Sequence, residues 1–294
     1  MTIIHFIVYS ISSRKSILLE KEIKNIFSNK IKYQFFIKYS KYKGHAIELT
    51  KQSIKEGVDI LVACGGDGTI NEVARNIIST SKILGIIPIG SGNGLAGHLK
   101  IPKNISKALK ILKIQNIKKI DVGKVNDDYF FSNMGVAFGA FFINSYHSYN
   151  QRGIIGYFRA FIASLFNFKY IKTKIFTNGL NQISEPFILL ISNTNELGYN
   201  ISLTPEASLY DRKLDIILVE KTGIMKIFIF LFMSLFHYYP RFKEVKKYKV
   251  ENVNLYSYEK EFMYQIDGER VEKKINKLDI SILEGRLNVV TPKN

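Results

Sequence analysis

Residues 64 to 72 read C-G-G-D-G-T-I-N-E, and this stretch decides the fold prediction. An apolar run at 58–63 enters it, and a helical pattern at 70–78 leaves it. A glycine-rich turn between a buried strand and a helix gathers backbone N–H groups that can face a phosphate. Asp67 lies within the turn, where its carboxylate would repel a phosphate unless Mg²⁺ or a substrate hydroxyl lay between them. The stretch therefore indicates nucleotide chemistry.

The glycines of this turn, Gly65, Gly66 and Gly68, allow a ligand to approach the backbone closely. Thr69 and Glu72 have the spacing of a capping box, which predicts that the helix begins directly after Gly68. The positive end of the helix dipole would then meet whatever the turn holds. An ordinary tight turn with a structural aspartate is the alternative interpretation.

A second small-residue turn, G-S-G-N-G at 90–94, follows the apolar run at 83–89. Ser91 and Asn93 offer side-chain hydrogen bonds there. The G-x-G-x-x-G spacing at 92–97 matches a dinucleotide fingerprint only weakly, because it does not follow the first strand of the fold. No G-x-x-x-x-G-K-[ST] motif occurs, so neither turn is a standard P-loop.

The first 125 residues alternate between strand and helix patterns, which predicts a mostly parallel sheet covered on both faces. Ligands on such sheets bind beyond the carboxyl ends of the strands, where both glycine turns lie. The predicted strands are 3–9, 33–37, 58–63, 83–89 and 120–125. The predicted helices are 17–27, 45–55, 70–78 and 105–112.

From about residue 128 the pattern changes to short strands, which predicts a second, mainly antiparallel β domain. We therefore expect domains at 1–127 and 128–294, with the last strand able to return to the first domain. The predicted strands are 129–134, 171–176, 187–192, 214–219, 249–255, 262–266, 278–283 and 287–290. Two apolar helices, 154–168 and 224–236, would cover this domain or dip into a membrane.

The composition limits which classes of protein the chain can belong to. The chain has 294 residues, 46% of them hydrophobic, and one cysteine, so no internal disulfide can form. Its longest apolar run has about ten residues, against about 20 for a transmembrane helix, so we expect a soluble or peripheral protein. The net charge of +17 fits an anionic surface, although a Lys-, Ile- and Asn-rich composition also fits AT-rich coding.

Motifs along nearly the whole chain, in the expected order, resemble the diacylglycerol kinase catalytic domain family. Within that family the likeness is closer to the soluble bacterial lipid kinases, which are related to sphingosine and ceramide kinases. The motifs are G-G-D-G-T-x-N-E-V at 65–73, G-x-x-P-x-G-S-G-N at 85–93, G-H-A at 44–46, D-x-G at 121–123, F-x-N at 131–133, P-x-A at 205–207 with Asp211 and Asp215, and D-G-E at 267–269.

The resemblance implies a two-domain kinase with ATP in the cleft between the domains and Mg²⁺ beside it. It implies Glu269 as general base, with Asp67 as the other catalytic carboxylate. Contacts to ATP would come from Ser40, Gly65, Gly66, Asp67, Gly68, Thr69, Asn71, Glu72, Ser91, Gly92 and Asn93. A Mg²⁺ ion would be held near Ser208, Asp211 and Lys213.

The implied function is phosphoryl transfer to a lipid hydroxyl, most simply that of a diacylglycerol-like lipid. We expect a cytoplasmic protein at the inner face of the membrane that binds lipid and no nucleic acid, with a homodimer left open. A NAD kinase shares G-G-D-G-T but not the later motifs. A catalytically impaired lipid- or nucleotide-binding homologue is the other alternative.

Three departures from the family pattern motivate that second alternative. The N-P-x-S-G that usually follows the first strand is replaced by residues 9–13. The common G-F-D-A reads Ala137-Phe138-Gly139-Ala140, which removes a carboxylate. Arg212 stands where members have glycine after the aspartate.

Overall fold

The computed structural model describes residues 1–9, 13–90, 92–148, 154–198, 201–236 and 242–293. They form two compact units, Met1–Val122 with Glu284–Asn294, and Gly123–Leu283. The elements of the first unit are β1 (Thr2–Tyr9), α1 (Ser13–Ile26), β2 (Tyr33–Ser40), α2 (His45–Lys55), β3 (Ile60–Gly65), α3 (Asp67–Ala74), β4 (Ile83–Pro88), α4 (Gly94–His98), α5 (Ile105–Ile114) and most of β5 (Ile117–Val125).

The first unit is built on a parallel sheet, as the alternating pattern predicts. Its strand order is β2-β1-β3-β4, and every neighbouring pair in that order is parallel. Strand β3 is buried along its whole length, as expected of a parallel strand covered on both faces. Helix α1 packs with α5, and α2 packs with α3. The α/β prediction for this half of the chain is confirmed.

The register brings the carboxyl ends of these strands to one edge of the sheet. Ser40 lies opposite Tyr9, and Gly65 lies opposite Pro88. The chain moves from β1 to one side and then returns to β3 on the other side, so the strand order reverses between β1 and β3. Open α/β sheets bind their ligands at such a switch point. The turn after β3 lies beside it.

The second unit is mainly antiparallel, as predicted, and its strands lie in two sheets. One has the order β12-β11-β10-β7-β14-β15, and the other includes β16-β13-β8-β9. Its elements are β6 (Asp128–Phe130), β7 (Asn133–Ala137), α6 (Phe138–Ser148), α7 (Ile154–Asn167), β8 (Thr173–Thr177), β9 (Leu180–Ser184), β10 (Pro186–Ser192), β11 (Leu214–Glu220), α8 (Ile224–Leu235), β12 (Val245–Val250), β13 (Asn252–Ser257), β14 (Gln265–Ile266), β15 (Glu269–Arg270) and β16 (Lys277–Val290).

The second unit has two hydrophobic cores, and alternate residues of its central strands point into one or the other. On β11, Leu214, Ile216 and Leu218 enter a core shared with β13 and β16. Ile217 and Val219 enter a second core with residues of α6, α7 and α8. The period of two therefore places one sheet between a facing sheet and a layer of helices.

Several predicted boundaries in the second half are wrong. The strand predicted at 129–134 is two strands, β6 and β7, and the one predicted at 249–255 divides between β12 and β13 of different sheets. The strands predicted at 278–283 and 287–290 are one strand, β16. Gly285 lies inside it with a φ of +55°, so the glycine marks an irregularity rather than a turn.

Candidate active site

The two glycine turns of the first unit pack directly against each other. The backbone N–H groups of Ile89 and Gly90 both donate to the carbonyl oxygen of Gly65, at 3.0 and 3.2 Å. A Cβ added to Gly90 would lie 2.3 Å from the Cα of Gly66. No side chain fits between these backbones, so glycine at position 90 is a packing requirement of the site.

Asp67 ties the first turn to the second. Its Oδ2 accepts a hydrogen bond from the backbone N–H of Asn93 at 2.7 Å. Burial raises the pKa of Asp67 above its ordinary value, and the backbone N–H groups of Asn93, Gly94 and Leu95 oppose that rise. Its Oδ1 is buried and has no hydrogen-bond partner among the described residues. This oxygen is an acceptor that a water or a cation of a bound nucleotide would satisfy.

Helix α3 begins two residues earlier than the capping-box spacing predicts. Its N-cap is Gly66, and the N-cap makes no side-chain hydrogen bond, so the predicted cap by Thr69 is wrong. Glu72 reaches α2 instead, where Oε1 accepts from the N–H of Gly44 at 2.8 Å and Oε2 from that of Ala46 at 3.2 Å. Glu72 therefore stabilises the start of α2 and joins the G-H-A motif to the first glycine turn.

The remaining predicted ATP-binding residues lie around the same edge. Ser40 is buried at the end of β2, and its hydroxyl donates to the carbonyl oxygen of Tyr42 at 3.3 Å. Gly92 lies so close to Asp67 that an added Cβ would be 2.9 Å from Oδ2. Gly68, Thr69 and Asn71 lie on α3. Ser91 lies outside the described residues.

In the second unit, the D-G-E motif forms a two-residue hairpin between β14 and β15. Asp267 and Gly268 both have positive φ angles, +48° and +80°, as a tight hairpin turn of this length requires. The buried carboxylate of Asp267 accepts hydrogen bonds from the backbone N–H groups of Phe131, Ser132 and Asn133. Asp267 therefore holds the hairpin against β7.

Two buried amides complete this support, and sequence reasoning missed one of them. Gln265 donates to the Oδ1 of Asn133 at 2.7 Å and accepts from the N–H of Gly268 at 2.8 Å. Glu269 is the half-buried first residue of β15. A polar residue inside an otherwise apolar strand pattern was the available signal for Gln265. Its role and that of Asp267 are to fix the strand that carries Glu269.

The predicted magnesium residues Ser208, Asp211 and Lys213 precede β11. Lys249 of β12 lies 2.8 Å from Oδ2 of Asp211 and 3.7 Å from Oδ2 of Asp215. Burial raises the pKa of Asp215 to about 6, while Lys249 lowers it. The described residues contain no group of three His, Cys, Asp or Glu side chains that could hold a metal. In this structure the Lys249 ammonium lies beside both carboxylates, and the magnesium assignment stays a prediction.

Asp211 and Glu269 lie in different parts of the six-stranded sheet. Asp211 precedes β11, whereas Glu269 lies on β15, and strands β10, β7 and β14 intervene. The sheet therefore does not bring the predicted metal-binding residues to the predicted base. Lys249, which sequence reasoning missed, is one of several lysines in a basic strand, so composition gives no signal of its pairing.

The residues that depart from the family pattern differ in backbone conformation and in the space around them. Ala137 and Arg212, both at positions where the family has glycine, have φ angles of +60° and +61°. Gly139 lies in the first turn of α6, a helix that the sequence analysis did not predict, and a Cβ added there would meet nothing within 4 Å. The first two residues accept a strained conformation, while Gly139 leaves room for a side chain.

A parallel α/β unit with joined glycine turns at its carboxyl edge, together with an antiparallel β-sandwich unit, defines the fold class of the diacylglycerol kinases and NAD kinases. The chain matches the diacylglycerol kinase catalytic domain over residues 5–125 and the YegS C-terminal NAD kinase beta sandwich-like domain over residues 142–291. It belongs to the diacylglycerol kinase catalytic domain family.

A curated relative is consistent with this family, and two solved structures share the fold. The chain is 29% identical to a diacylglycerol kinase from Staphylococcus haemolyticus over 260 residues, which cover 86% of this chain and 77% of the relative. A crystal structure of a diacylglycerol kinase from Bacillus anthracis has a TM-score of 0.76 at 19% identity, covering 99% and 97% of the two chains. A NAD kinase from Archaeoglobus fulgidus in complex with ATP has a TM-score of 0.53 at 12% identity, covering 98% and 93%.

Proposed function

We propose that this protein is a lipid kinase that transfers the γ-phosphate of ATP to the hydroxyl of a diacylglycerol-like lipid. The observation that carries the proposal is the pair of joined glycine turns at the carboxyl edge of the parallel sheet, with the buried Oδ1 of Asp67, unpartnered within the described part of the chain, beside them. The diacylglycerol kinase relatives and the NAD kinase solved with ATP support it.

The chemistry assigned to the first unit is phosphate positioning. The first turn of a helix leaves its N–H groups without intrahelical partners, and α3 begins within the glycine turn. Backbone at Gly66, Gly68 and Thr69 would hold phosphate oxygens. Mg²⁺ bound with ATP would neutralise phosphate charge, and Asp67 supplies a carboxylate oxygen beside the turns that has no hydrogen-bond partner among the described residues.

The chemistry assigned to Glu269 is proton removal. The lipid hydroxyl oxygen attacks the γ-phosphorus, the bond from that phosphorus to the β–γ bridging oxygen breaks, and ADP leaves. Glu269 accepts the hydroxyl proton as the new phosphorus–oxygen bond forms. A positioned general base contributes roughly 10²–10⁴-fold to such a rate. The hairpin support by Asp267 and Gln265 limits the freedom of Glu269.

A lipid panel tests the proposal. The purified protein is given γ-labelled ATP and mixed micelles of diacylglycerol, monoacylglycerol, ceramide or sphingosine, and labelled lipid is measured. We expect transfer to diacylglycerol, a loss of at least about 100-fold in Glu269→Gln, and unchanged ATP binding. Glu272→Gln is the matched control, because Glu272 is exposed three residues further on. Full activity of Glu269→Gln would refute its assignment as base.

Assays of the same purified protein test two other functions. The fold similarity to NAD kinases motivates an assay with NAD and ATP, in which NADP formation without lipid phosphorylation would replace the proposal. Gly139 and Arg212 motivate the impaired homologue, which would bind ATP or lipid without turnover. Because Gly139 leaves room for a side chain, Gly139→Asp restores the missing carboxylate and would raise turnover if its loss limits the enzyme.

A further inference from the structure

Helix α8 of the second unit is apolar around its whole circumference. Its twelve residues, I-M-K-I-F-I-F-L-F-M-S-L, contain one charged side chain, Lys226. A helix of this composition is normally enclosed on all sides, because an apolar face left in water is unfavourable. The surroundings of α8 therefore decide what the outer face does.

Within the described part of the chain, one face of α8 is covered. Ile227 and Phe230 are 4% and 1% exposed, in the core formed with β10 and β11. The opposite face carries large apolar side chains that are between 40% and 70% exposed. They are Met225, Phe228, Ile229, Phe232 and Phe236, and we call them the α8 stripe.

The spacing makes the stripe continuous. Successive members are separated by three or four residues along the helix, apart from the adjacent pair Phe228 and Ile229, so they lie along one side. The rings of Phe232 and Phe236 contact each other with centroids 5.3 Å apart. Exposed apolar patches of this kind mark interaction sites rather than ordinary protein surface.

Positive charge borders the stripe. Lys226 is bonded to Glu244 at 2.7 Å, which brings the start of the segment 242–249 beside α8. That segment reads F-K-E-V-K-K-Y-K, with four lysines against one glutamate, and Lys243 and Lys247 are exposed. An apolar helical face beside a basic segment is complementary to an anionic lipid bilayer, whose surface attracts lysine and whose interior accepts apolar side chains.

We propose that the α8 stripe docks the protein onto an anionic membrane, with α8 lying in the plane of the interface. Among the described residues, no helix is long and apolar enough to cross a membrane. An interfacial helix needs only one buried apolar face, which the stripe supplies. The inference rests on the proposed function, since it names the surface at which a lipid kinase would meet its substrate.

The absence of tryptophan from the chain allows a direct test. Phe232→Trp places the single tryptophan of the chain on the stripe, and excitation at 295 nm separates its emission from that of the tyrosines. We expect its emission to shift to the blue on addition of vesicles of phosphatidylcholine with 30% phosphatidylglycerol, and to be quenched by brominated acyl chains. Phe176→Trp is the matched control, because Phe176 is 43% exposed on β8 of the other sheet. No shift at position 232, or the same shift at both positions, would overturn the proposal.

Affinity and oligomeric state complete the test. Phe228→Ser with Phe232→Ser should weaken vesicle binding at least about tenfold, while Phe176→Ser leaves it unchanged. Lys243→Gln with Lys247→Gln should weaken it about fivefold per lysine at low salt and have less effect at 0.5 M NaCl. If light scattering instead shows a dimer that the stripe variant dissociates, while vesicle binding stays the same, the stripe is a contact between copies and the proposal fails.

Turnover separates this inference from the proposed function. The stripe variant should phosphorylate a dispersed short-chain diacylglycerol as the unaltered protein does, and should lose activity only on vesicles. Vesicle binding without turnover of any lipid would contradict the proposed function and leave the docking surface standing. Equal loss on dispersed and vesicle substrate would contradict the docking surface.

Discussion

At the scale of single residues, this chain departs from its family at positions where backbone conformation matters. Ala137 and Arg212 have positive φ angles where the family has glycine. The left-handed conformation costs a residue with a Cβ about 1–2 kcal/mol. The chain therefore carries local strain at both positions.

Ala137→Gly should raise the free energy of unfolding by up to about 1 kcal/mol, because relief of strain exceeds the entropy that glycine adds to the unfolded chain. Urea unfolding followed by circular dichroism measures the change. Ala140→Gly is the control, since Ala140 lies inside α6 with ordinary helical geometry. This variant should have a free energy of unfolding lower by about 1 kcal/mol. Destabilisation by Ala137→Gly would show that its methyl contacts outweigh the strain.

Asp67 combines a structural hydrogen bond with a charge, and two substitutions separate them. Asp67→Ala removes the acceptor for the N–H of Asn93 and should cost about 1 kcal/mol of unfolding free energy. Asp67→Asn keeps an acceptor oxygen, so its melting temperature should be close to that of the unaltered protein. It should nevertheless lose turnover, because the charge is gone. Thermal unfolding and the lipid kinase assay measure the two effects. Full turnover by Asp67→Asn would mean that the charge has no part in the reaction.

At the scale of secondary-structure elements, β12 supplies the cation for the loop before β11. Lys249 is 40% exposed, so its pairs with Asp211 and Asp215 are only partly shielded from water. Lys249→Met should cost about 1 kcal/mol at neutral pH and should raise the pKa of Asp215 further. In that variant, millimolar Mg²⁺ or Ca²⁺ should recover part of the lost melting temperature, because a divalent cation can replace the ammonium.

The control for this prediction is Lys221→Met, which removes an exposed pair with Glu185 and should show no response to the metal ions. In the unaltered protein, the metal ions should raise the melting temperature by no more than they do in Lys249→Met. If it gains more from Mg²⁺ than the variant does, Asp211 holds a metal with Lys249 present.

At the scale of the whole molecule, His5 makes the stability of the first unit depend on pH. Burial lowers the pKa of His5 below its ordinary value of 6.5; Lys38 lowers it further, and Glu56 raises it. As the pH falls, His5 therefore becomes protonated near pH 6.5 in the unfolded chain and only at lower pH in the folded chain. Stability should fall as the pH drops below 6.5, by at most about 1.4 kcal/mol per pH unit from this group.

Urea unfolding at pH 5, 6, 7 and 8 measures this dependence, and His5→Phe should flatten it between pH 5 and 7. The phenylalanine keeps the ring contact with Phe36 and cannot titrate. Parallel curves for the two proteins would assign the acid sensitivity to other groups.

Local patterns predicted the elements that are strongly periodic. Helix α2 has the predicted bounds of 45 and 55, and the apolar runs became β1, β3 and β4 within two residues at each end. Helix α6 was missed because its aromatic-rich sequence has neither a clear period nor a cap. The capping box failed because Glu72 finds better partners on α2 than on its own helix.

The sequence by itself determined the alternation that makes a parallel sheet, the two glycine turns that follow its strands, and the family motifs. These are local properties, since they depend on residue type and short spacing. Tertiary structure decided which distant groups meet: Gly66 with Gly90, Asp67 with Asn93, Asp267 with the backbone of β7, and Lys249 with Asp211. Such contacts depend on strand register and loop closure, which no short pattern encodes.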